Sequence, residues 1–148
     1  MKMKNYIYIT VAIITFTFAA VDTTYACSCM MPTGSFKTQV SNAYKGSTAI
    51  FTGKVTSVEK TADGDEFSVK VAVKNSWKGT ASAEITIRTS AQSSMCGYFF
   101  EIGNEYVVYA NGIADDLSVE NCSRTGANPS KAEARYLAGL KKKYVPKN

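Results

Sequence analysis

Short runs of hydrophobic residues after residue 30 predict a set of β-strands between two helices. In the segment 67–74 four apolar residues alternate with polar ones, which is typical of a strand with one face in water. Further apolar runs predict four more strands, at 49–58, 85–87, 106–109 and 117–119. The turn Ala62-Asp63-Gly64-Asp65 predicts a hairpin between the first two strands.

Apolar residues recur at helical intervals both before and after the predicted strands. Phe36, Val40 and Tyr44 are four residues apart, which predicts a helix over 35–44 that ends at Gly46. Near the other end, Ser130 and Glu133 match a capping box. An apolar stripe follows them, at Tyr136, Leu137, Leu140 and Tyr144. These elements predict a mainly β fold, a five-stranded OB-like Greek-key barrel with a short N-terminal helix and a C-terminal helix.

The first 26 residues differ from the rest of the chain. Lys2 and Lys4 precede an apolar run over 6–21, and Thr24 and Ala26 are small residues at positions −3 and −1 before Cys27. This pattern is typical of a secretory signal peptide that is cleaved before Cys27. We therefore expect one exported domain over 27–148, secreted or periplasmic, with no membrane contact after cleavage.

Two alternatives concern the same N-terminal segment. The apolar run could anchor the chain in a membrane, but it is shorter than the roughly 20 apolar residues that a spanning helix needs. Cys27 could be acylated, as in a lipoprotein. The residue three positions before it is Thr24 rather than the usual aliphatic residue, which argues against acylation.

Charge and composition argue against two classes of protein. The chain has 17 Lys and Arg residues against 12 Asp and Glu residues, a formal net charge of +5, and its one dense basic run is Lys141–Lys143 in the tail. Because a solvated helix end explains that run, we expect no nucleic-acid partner. The sequence has no histidine and no evident pair of catalytic carboxylates, so we expect a monomeric protein that is neither an enzyme nor dependent on a cofactor.

All four cysteines follow the proposed cleavage site, at Cys27, Cys29, Cys96 and Cys122. In an exported chain of this size they suggest two disulfides. A bond between Cys27 and Cys29 would close a very small, strained ring. Two pairings then stay open, with Cys27 bonded to Cys96 or to Cys122. A zinc site made by all four cysteines and a redox-active CxC motif are further alternatives.

The segment Cys27-Ser28-Cys29 is the candidate functional site. In an extended chain alternate side chains point to opposite faces, so both cysteines would face the body while Ser28 faces outward. Cleavage would leave the α-amine and carbonyl oxygen of Cys27 spaced for a five-membered chelate. A catalytic zinc keeps one position open for water, which such a chelate could take. The alternative is that the motif only holds the barrel together.

The order of these motifs resembles the N-terminal domain of the tissue inhibitors of metalloproteinases, within the netrin-like superfamily. Mature chains of that family begin Cys-x-Cys and soon reach a proline, as does Cys27-Ser28-Cys29-Met30-Met31-Pro32. Trp77-Lys78-Gly79 is similar to a recurrent Lys-Gly motif after an aromatic residue. Cys96-Gly97, after small residues, and the late Cys122 are similar to two further family cysteines.

The resemblance implies an inhibitor of zinc metalloproteases with Cys27–Cys96 and Cys29–Cys122 disulfides. It implies that Cys27 chelates the zinc of the target enzyme and that Ser28 enters the adjacent pocket. The residues implied to contact the protease elsewhere are Met30, Met31, Ser94 and Met95.

Three departures from the family pattern matter. The cysteines of the family's third disulfide have no counterpart, Met31-Pro32 replaces an early Pro-Pro pair, and we expect a single-domain version. Distant netrin-like domains share the fold without inhibiting proteases. A netrin-like binding or structural module is therefore the alternative function.

Overall fold

The computed structural model describes residues 27–79, 82–113 and 115–144. The predicted signal peptide, residues 1–26, lies outside the described residues. Helix α1 spans Phe36–Gly46 and helix α2 spans Lys131–Tyr144. The strands between them are β1 (Ala49–Lys60), β2 (Glu66–Lys78), β3 (Glu84–Ser90), β4 (Glu105–Ile113), β5 (Asp116–Ser118) and β6 (Gly126–Ala127). A short 3-10 helix, Ser93–Met95, lies between β3 and β4.

Five of these strands form a closed barrel. β1 pairs antiparallel with both β2 and β4, and β2 pairs antiparallel with β3. The ring closes through β5, which runs parallel to β3 and antiparallel to β4. The predicted five-stranded barrel with two flanking helices is therefore confirmed. β6 adds two residues to the free side of β4.

The apolar residues form two clusters on opposite faces of β1 and β4. The cluster inside the barrel includes Phe51, Val55, Val69, Val71, Ile87, Val108 and Leu117. The second cluster packs the helices on the outside of the barrel and includes Val40, Tyr44, Ile50, Val107, Tyr109, Leu137 and Leu140. Because successive side chains of a strand point to opposite faces, the part of β4 from Tyr106 to Ala110 is buried on both sides. This explains why its apolar run is uninterrupted.

Several boundaries differ from those that the sequence predicts. α1 ends at Gly46 as predicted but begins at Phe36, one residue later than expected. β1 extends to Lys60, and β4 continues to Ile113 because residues 111–113 pair with β5. No sequence pattern predicted β6 or the 3-10 helix, which have two and three residues.

Only one of the two hydrogen bonds of the predicted capping box is formed, so the prediction is wrong for the Glu133 side chain. The Oγ of Ser130 accepts a hydrogen bond from the backbone N–H of Glu133 at 3.1 Å, as predicted. The Glu133 side chain does not return the bond. It is buried and accepts hydrogen bonds from Tyr109 and Arg124 instead.

Lys78 explains the Trp77-Lys78-Gly79 motif structurally. Its ammonium donates hydrogen bonds to the carbonyl oxygens of Tyr44 at 2.8 Å, Lys45 at 3.3 Å and Ser47 at 2.5 Å. A cation near carbonyls at a helix C-terminus also interacts favourably with the helix dipole. Lys78 therefore joins the C-terminal end of α1 to β2.

We expect Lys78→Met to destabilise the protein while keeping its fold. The variant removes charge-assisted hydrogen bonds from half-buried carbonyl groups, so the free energy of unfolding should fall by about 2 kcal/mol. Chemical denaturation with intact disulfides measures this change. The control is Lys70→Met, which alters an exposed lysine of the same strand. Equal losses in the two variants would show that Lys78 has no special role.

Candidate functional site

The segment 27–34 precedes α1 and has neither helix nor strand structure. Two disulfides attach its first residues to the barrel domain. Cys27 is bonded to Cys96 with a Cα–Cα distance of 5.3 Å, and Cys29 is bonded to Cys122 with a Cα–Cα distance of 5.2 Å. These are the pairs that the family resemblance implies. Two disulfides indicate an oxidising environment, outside the cell or in the periplasm.

The four sulfur atoms lie close together, but they do not form a metal site. The sulfurs of Cys27, Cys96 and Cys122 lie within 4.8 Å of one another. All four cysteines are bonded in disulfides, and the described residues contain no free thiol. Since only thiolates ligate zinc well, the alternative of a four-cysteine zinc site is wrong.

The two disulfides share one rigid base. The backbone N–H of Asn121 donates to the carbonyl oxygen of Cys96 at 2.7 Å, and Gly97 forms an antiparallel bridge with Glu120. The Sγ atoms of Cys27 and Cys122 are consequently only 4.0 Å apart. Cys27 and Cys29 are therefore attached to the same small area of the fold.

Gly97 shows why glycine follows Cys96. A Cβ atom at this position would run into the carbonyl oxygen of Ser90 at the end of β3. Cys96 itself has a φ of +58°, a left-handed conformation that is uncommon for residues other than glycine. The close approach of the two backbones thus determines where the Cys96 sulfur lies.

The Cys27–Cys96 disulfide brings two exposed segments together. Ser28 is exposed, and Met30 and Met31 are 93% and 87% exposed. On the other side of the bond Ser94 is exposed and Met95 is 62% exposed. We call residues 27–31 and 94–96 the exposed cluster. It contains all the residues that the family resemblance implies for protease binding.

A buried polar network lies beneath the N-terminal segment. The hydroxyl of Tyr109 donates to Oε1 of Glu133 at 2.6 Å, and Nε of Arg124 donates to the same oxygen at 2.8 Å. The Arg124 guanidinium also lies 5.3 Å from the centroid of the Phe36 ring. Burial first, and the hydrogen bond to Glu133 second, raise the pKa of Tyr109 well above its ordinary value. Tyr109 therefore remains a neutral donor, and Glu133 connects the barrel to Arg124.

Gln39 of α1 extends this network to the N-terminal segment. Its Oε1 accepts a hydrogen bond from Nη1 of Arg124 at 3.3 Å. Its Nε2 donates to the carbonyl oxygens of Gly34 at 3.0 Å and Pro32 at 3.4 Å. Among the described residues, no other hydrogen bond reaches residues 28–34. Gln39 thus holds the end of the segment whose beginning the disulfides hold.

A cleft of about 640 Å³ with a mixed polar and apolar lining lies between the N-terminal segment and the body of the domain. Its lining includes Met30, Gln39, Asn42, Asn111, Asn121 and Arg124. Because the segment does not pack flush against α1, its course depends on the disulfides and on the Gln39 side chain.

No sequence pattern identified Gln39, Arg124 and Glu133 as members of this network. Gln39 directly precedes Val40 of the apolar stripe, and this position on the inner side of α1 was the available signal. Arg124 stands outside any periodic element, and Glu133 fitted a local capping pattern. Two of the hydrogen bonds join residues far apart in sequence, 85 positions for Arg124 and Gln39 and 24 for Tyr109 and Glu133.

Comparisons with known proteins leave the family question open. No protein-family model matches the chain, and a search of curated proteins gives no significant match. No helix among the described residues has the length and apolar character needed to cross a membrane.

We expect Gln39→Met to loosen the segment 30–34. Methionine has a similar length but cannot donate to the Pro32 and Gly34 carbonyls. Backbone order parameters of residues 30–34, measured by ¹⁵N NMR relaxation, should fall towards the values below about 0.6 that mark flexible backbone.

The matched control is Asn42→Ala, since Asn42 lies about one turn further along α1 and lines the same cleft, and its side chain makes no hydrogen bond to the described residues. Its order parameters over 30–34 should equal those of the unaltered protein. If the Gln39 and Asn42 variants give the same values, Gln39 does not hold the segment.

Proposed function

We propose that this protein is a secreted inhibitor of zinc metalloproteases that acts through a processed N-terminus at Cys27. The observation that supports this function is the attachment of Cys27 and Cys29 to one rigid base, with exposed Ser28 between them. A barrel needs no exposed residue between two neighbouring disulfides for its stability. A rigid, protruding N-terminus is what an inhibitor of a deep active site requires.

The α-amine and carbonyl oxygen of Cys27 carry the proposed mechanism. The amine nitrogen and the carbonyl oxygen of one residue close a five-membered ring on a metal ion. Bound to the catalytic zinc of a protease, they displace the water that attacks the substrate. The zinc belongs to the target enzyme, and the inhibitor needs no metal of its own.

The disulfides make this binding favourable by reducing its entropic cost. A free N-terminal peptide loses backbone freedom when it enters an active site, at roughly 1–2 kcal/mol per residue. Residues 27–29 have lost most of that freedom already, because disulfides hold both ends of the tripeptide. More of the interaction energy then appears as affinity.

The remaining members of the exposed cluster supply contacts around the metal. Ser28 has a small side chain that fits a narrow pocket beside the zinc and can hydrogen-bond there. Met30 and Met31 follow along the substrate cleft, and Ser94 and Met95 contact the enzyme from the other side of the Cys27–Cys96 bond. The methionine side chains are flexible and polarisable, so they adapt to pockets of different shape.

We expect inhibition to require a free α-amine on Cys27. Three forms are compared: the processed protein, the protein that retains Ala26, and the processed protein acetylated at its α-amine. An amide nitrogen is a poor zinc ligand, so the second and third forms should lose at least about 100-fold in affinity for a sensitive protease. Inhibition constants against a panel of zinc endopeptidases measure this loss.

The pH dependence of the processed form provides an internal check. A free α-amine has a pKa of about 7.7–8.0 and must lose its proton to bind zinc. Affinity should therefore rise between about pH 6 and pH 8 and level off above the amine pKa. Peptide mapping must show intact disulfides in all three forms. Equal inhibition by the Ala26-extended form would favour the netrin-like binding module instead.

A further inference from the structure

The distribution of methionine over the chain is uneven. The sequence has five methionines, of which Met1 and Met3 fall in the predicted signal peptide. The other three are Met30, Met31 and Met95, and all of them belong to the exposed cluster. They are 93%, 87% and 62% exposed, although methionine is usually among the more buried residue types. Neither apolar cluster of the described residues contains a methionine.

We propose that Met30, Met31 and Met95 form an oxidation site that regulates the inhibitor. This inference rests on the proposed function, because it assigns these side chains to the surface that contacts the protease. Oxidation to methionine sulfoxide weakens inhibition, while the fold and the chelating amine stay intact.

The oxidant is hydrogen peroxide or another two-electron peroxide. The thioether sulfur attacks one peroxide oxygen, an S–O bond forms and the O–O bond breaks. Sulfur loses two electrons, and the second oxygen takes up a proton and leaves as water or an alcohol. The product is a polar, chiral sulfoxide that methionine sulfoxide reductases can convert back.

The structure favours these three sulfurs over other reactive groups. Thiolates ordinarily react with peroxides first, but the described residues contain no free thiol because all four cysteines are in disulfides. Trp77, the single tryptophan of the chain, belongs to β2 and is half-buried against the apolar cluster that includes Leu137 and Leu140 of α2. Exposed methionines are therefore the most accessible oxidisable side chains of the described residues.

Their positions make oxidation consequential for binding. Met30 directly follows Cys29, Met31 is two positions after it, and Met95 directly precedes Cys96, so each methionine lies within two residues of a disulfide-bonded cysteine. When a sulfoxide enters an apolar part of the protease's substrate cleft, its oxygen loses its hydrating water and gains no hydrogen-bond donor in return. This loss weakens binding. The two apolar cores contain no methionine, so the same oxidation leaves the folded domain unchanged.

The test compares the processed protein with its Met30→Leu/Met31→Leu/Met95→Leu variant, before and after dilute hydrogen peroxide. Leucine keeps a similar apolar volume without an oxidisable sulfur. Peroxide should add one oxygen at each of the three methionines, as peptide mass spectrometry detects. The inhibition constant of the processed protein should rise about tenfold to a hundredfold, while that of the leucine variant should stay constant. The thermal unfolding midpoint of both proteins should not change.

The possible outcomes separate this inference from the proposed function. If the untreated processed protein inhibits no zinc endopeptidase, the proposed function fails before any oxidant is added, and the basis of the oxidation site fails with it. If the untreated protein inhibits and complete oxidation of the three methionines leaves the inhibition constant unchanged, the oxidation site alone is refuted. An equal loss of inhibition in the leucine variant also refutes it, since the reactive group would lie elsewhere.

Discussion

The two disulfides to Cys96 and Cys122 are the constraint on which the exposed cluster depends. They attach an N-terminal segment without regular secondary structure to one small area, where the backbone bond from Asn121 to Cys96 holds the two partner cysteines together. The bonds close loops with sequence separations of 69 and 93 residues. In the chain-entropy model each such loop contributes roughly 4 kcal/mol of stability, and less where the loops overlap. The same bonds therefore stabilise a small barrel and fix the geometry of its N-terminus.

A buried network of hydrogen bonds is the second constraint on the N-terminal segment. Tyr109 in β4, Glu133 in α2 and Arg124 form one buried hydrogen-bonded unit, and Arg124 orients the Gln39 carboxamide towards the Pro32 and Gly34 carbonyls. The Arg124–Glu133 ion pair is largely buried, with side chains 23% and 11% exposed. Desolvation of the two charges offsets much of their attraction, so the net contribution of such a pair to stability is small. In this protein the pair fixes a geometry that extends from the barrel to the N-terminal segment.

The sequence predicted the elements that local patterns encode. Alternation in 67–74 identified β2, and the four-residue spacing of Val40 and Tyr44 identified α1. The uninterrupted run at 106–109 identified β4, whose burial on both faces the structure then explained. The two residues of β6 are too few for any periodicity. Glu133 was misjudged because a capping box is a local pattern, whereas its actual partners come from β4 and from the loop before β6.

Less of the candidate site than of the fold could be predicted from the sequence. The cysteine positions alone left two disulfide pairings open. The family resemblance implied the pairing that the structure contains, Cys27–Cys96 with Cys29–Cys122. Exposure of Met30, Met31 and Met95 could not be deduced from residue type, since methionine is usually buried. The position of Gln39 beside the apolar stripe indicated a residue on the inner side of α1, but its role in holding the segment depends on Arg124, 85 positions away.

The central claim is that the Cys27 amine and carbonyl oxygen occupy the metal of the target enzyme. Replacing the zinc of a sensitive endopeptidase with Co²⁺ gives a metal whose visible absorption responds to its ligands. Binding of the processed protein should change that spectrum as nitrogen and oxygen replace the bound water, with one inhibitor per metal at saturation. The acetylated protein should leave the spectrum of the free enzyme unchanged. Full inhibition by the processed protein without any change in the cobalt spectrum would contradict the proposed mechanism.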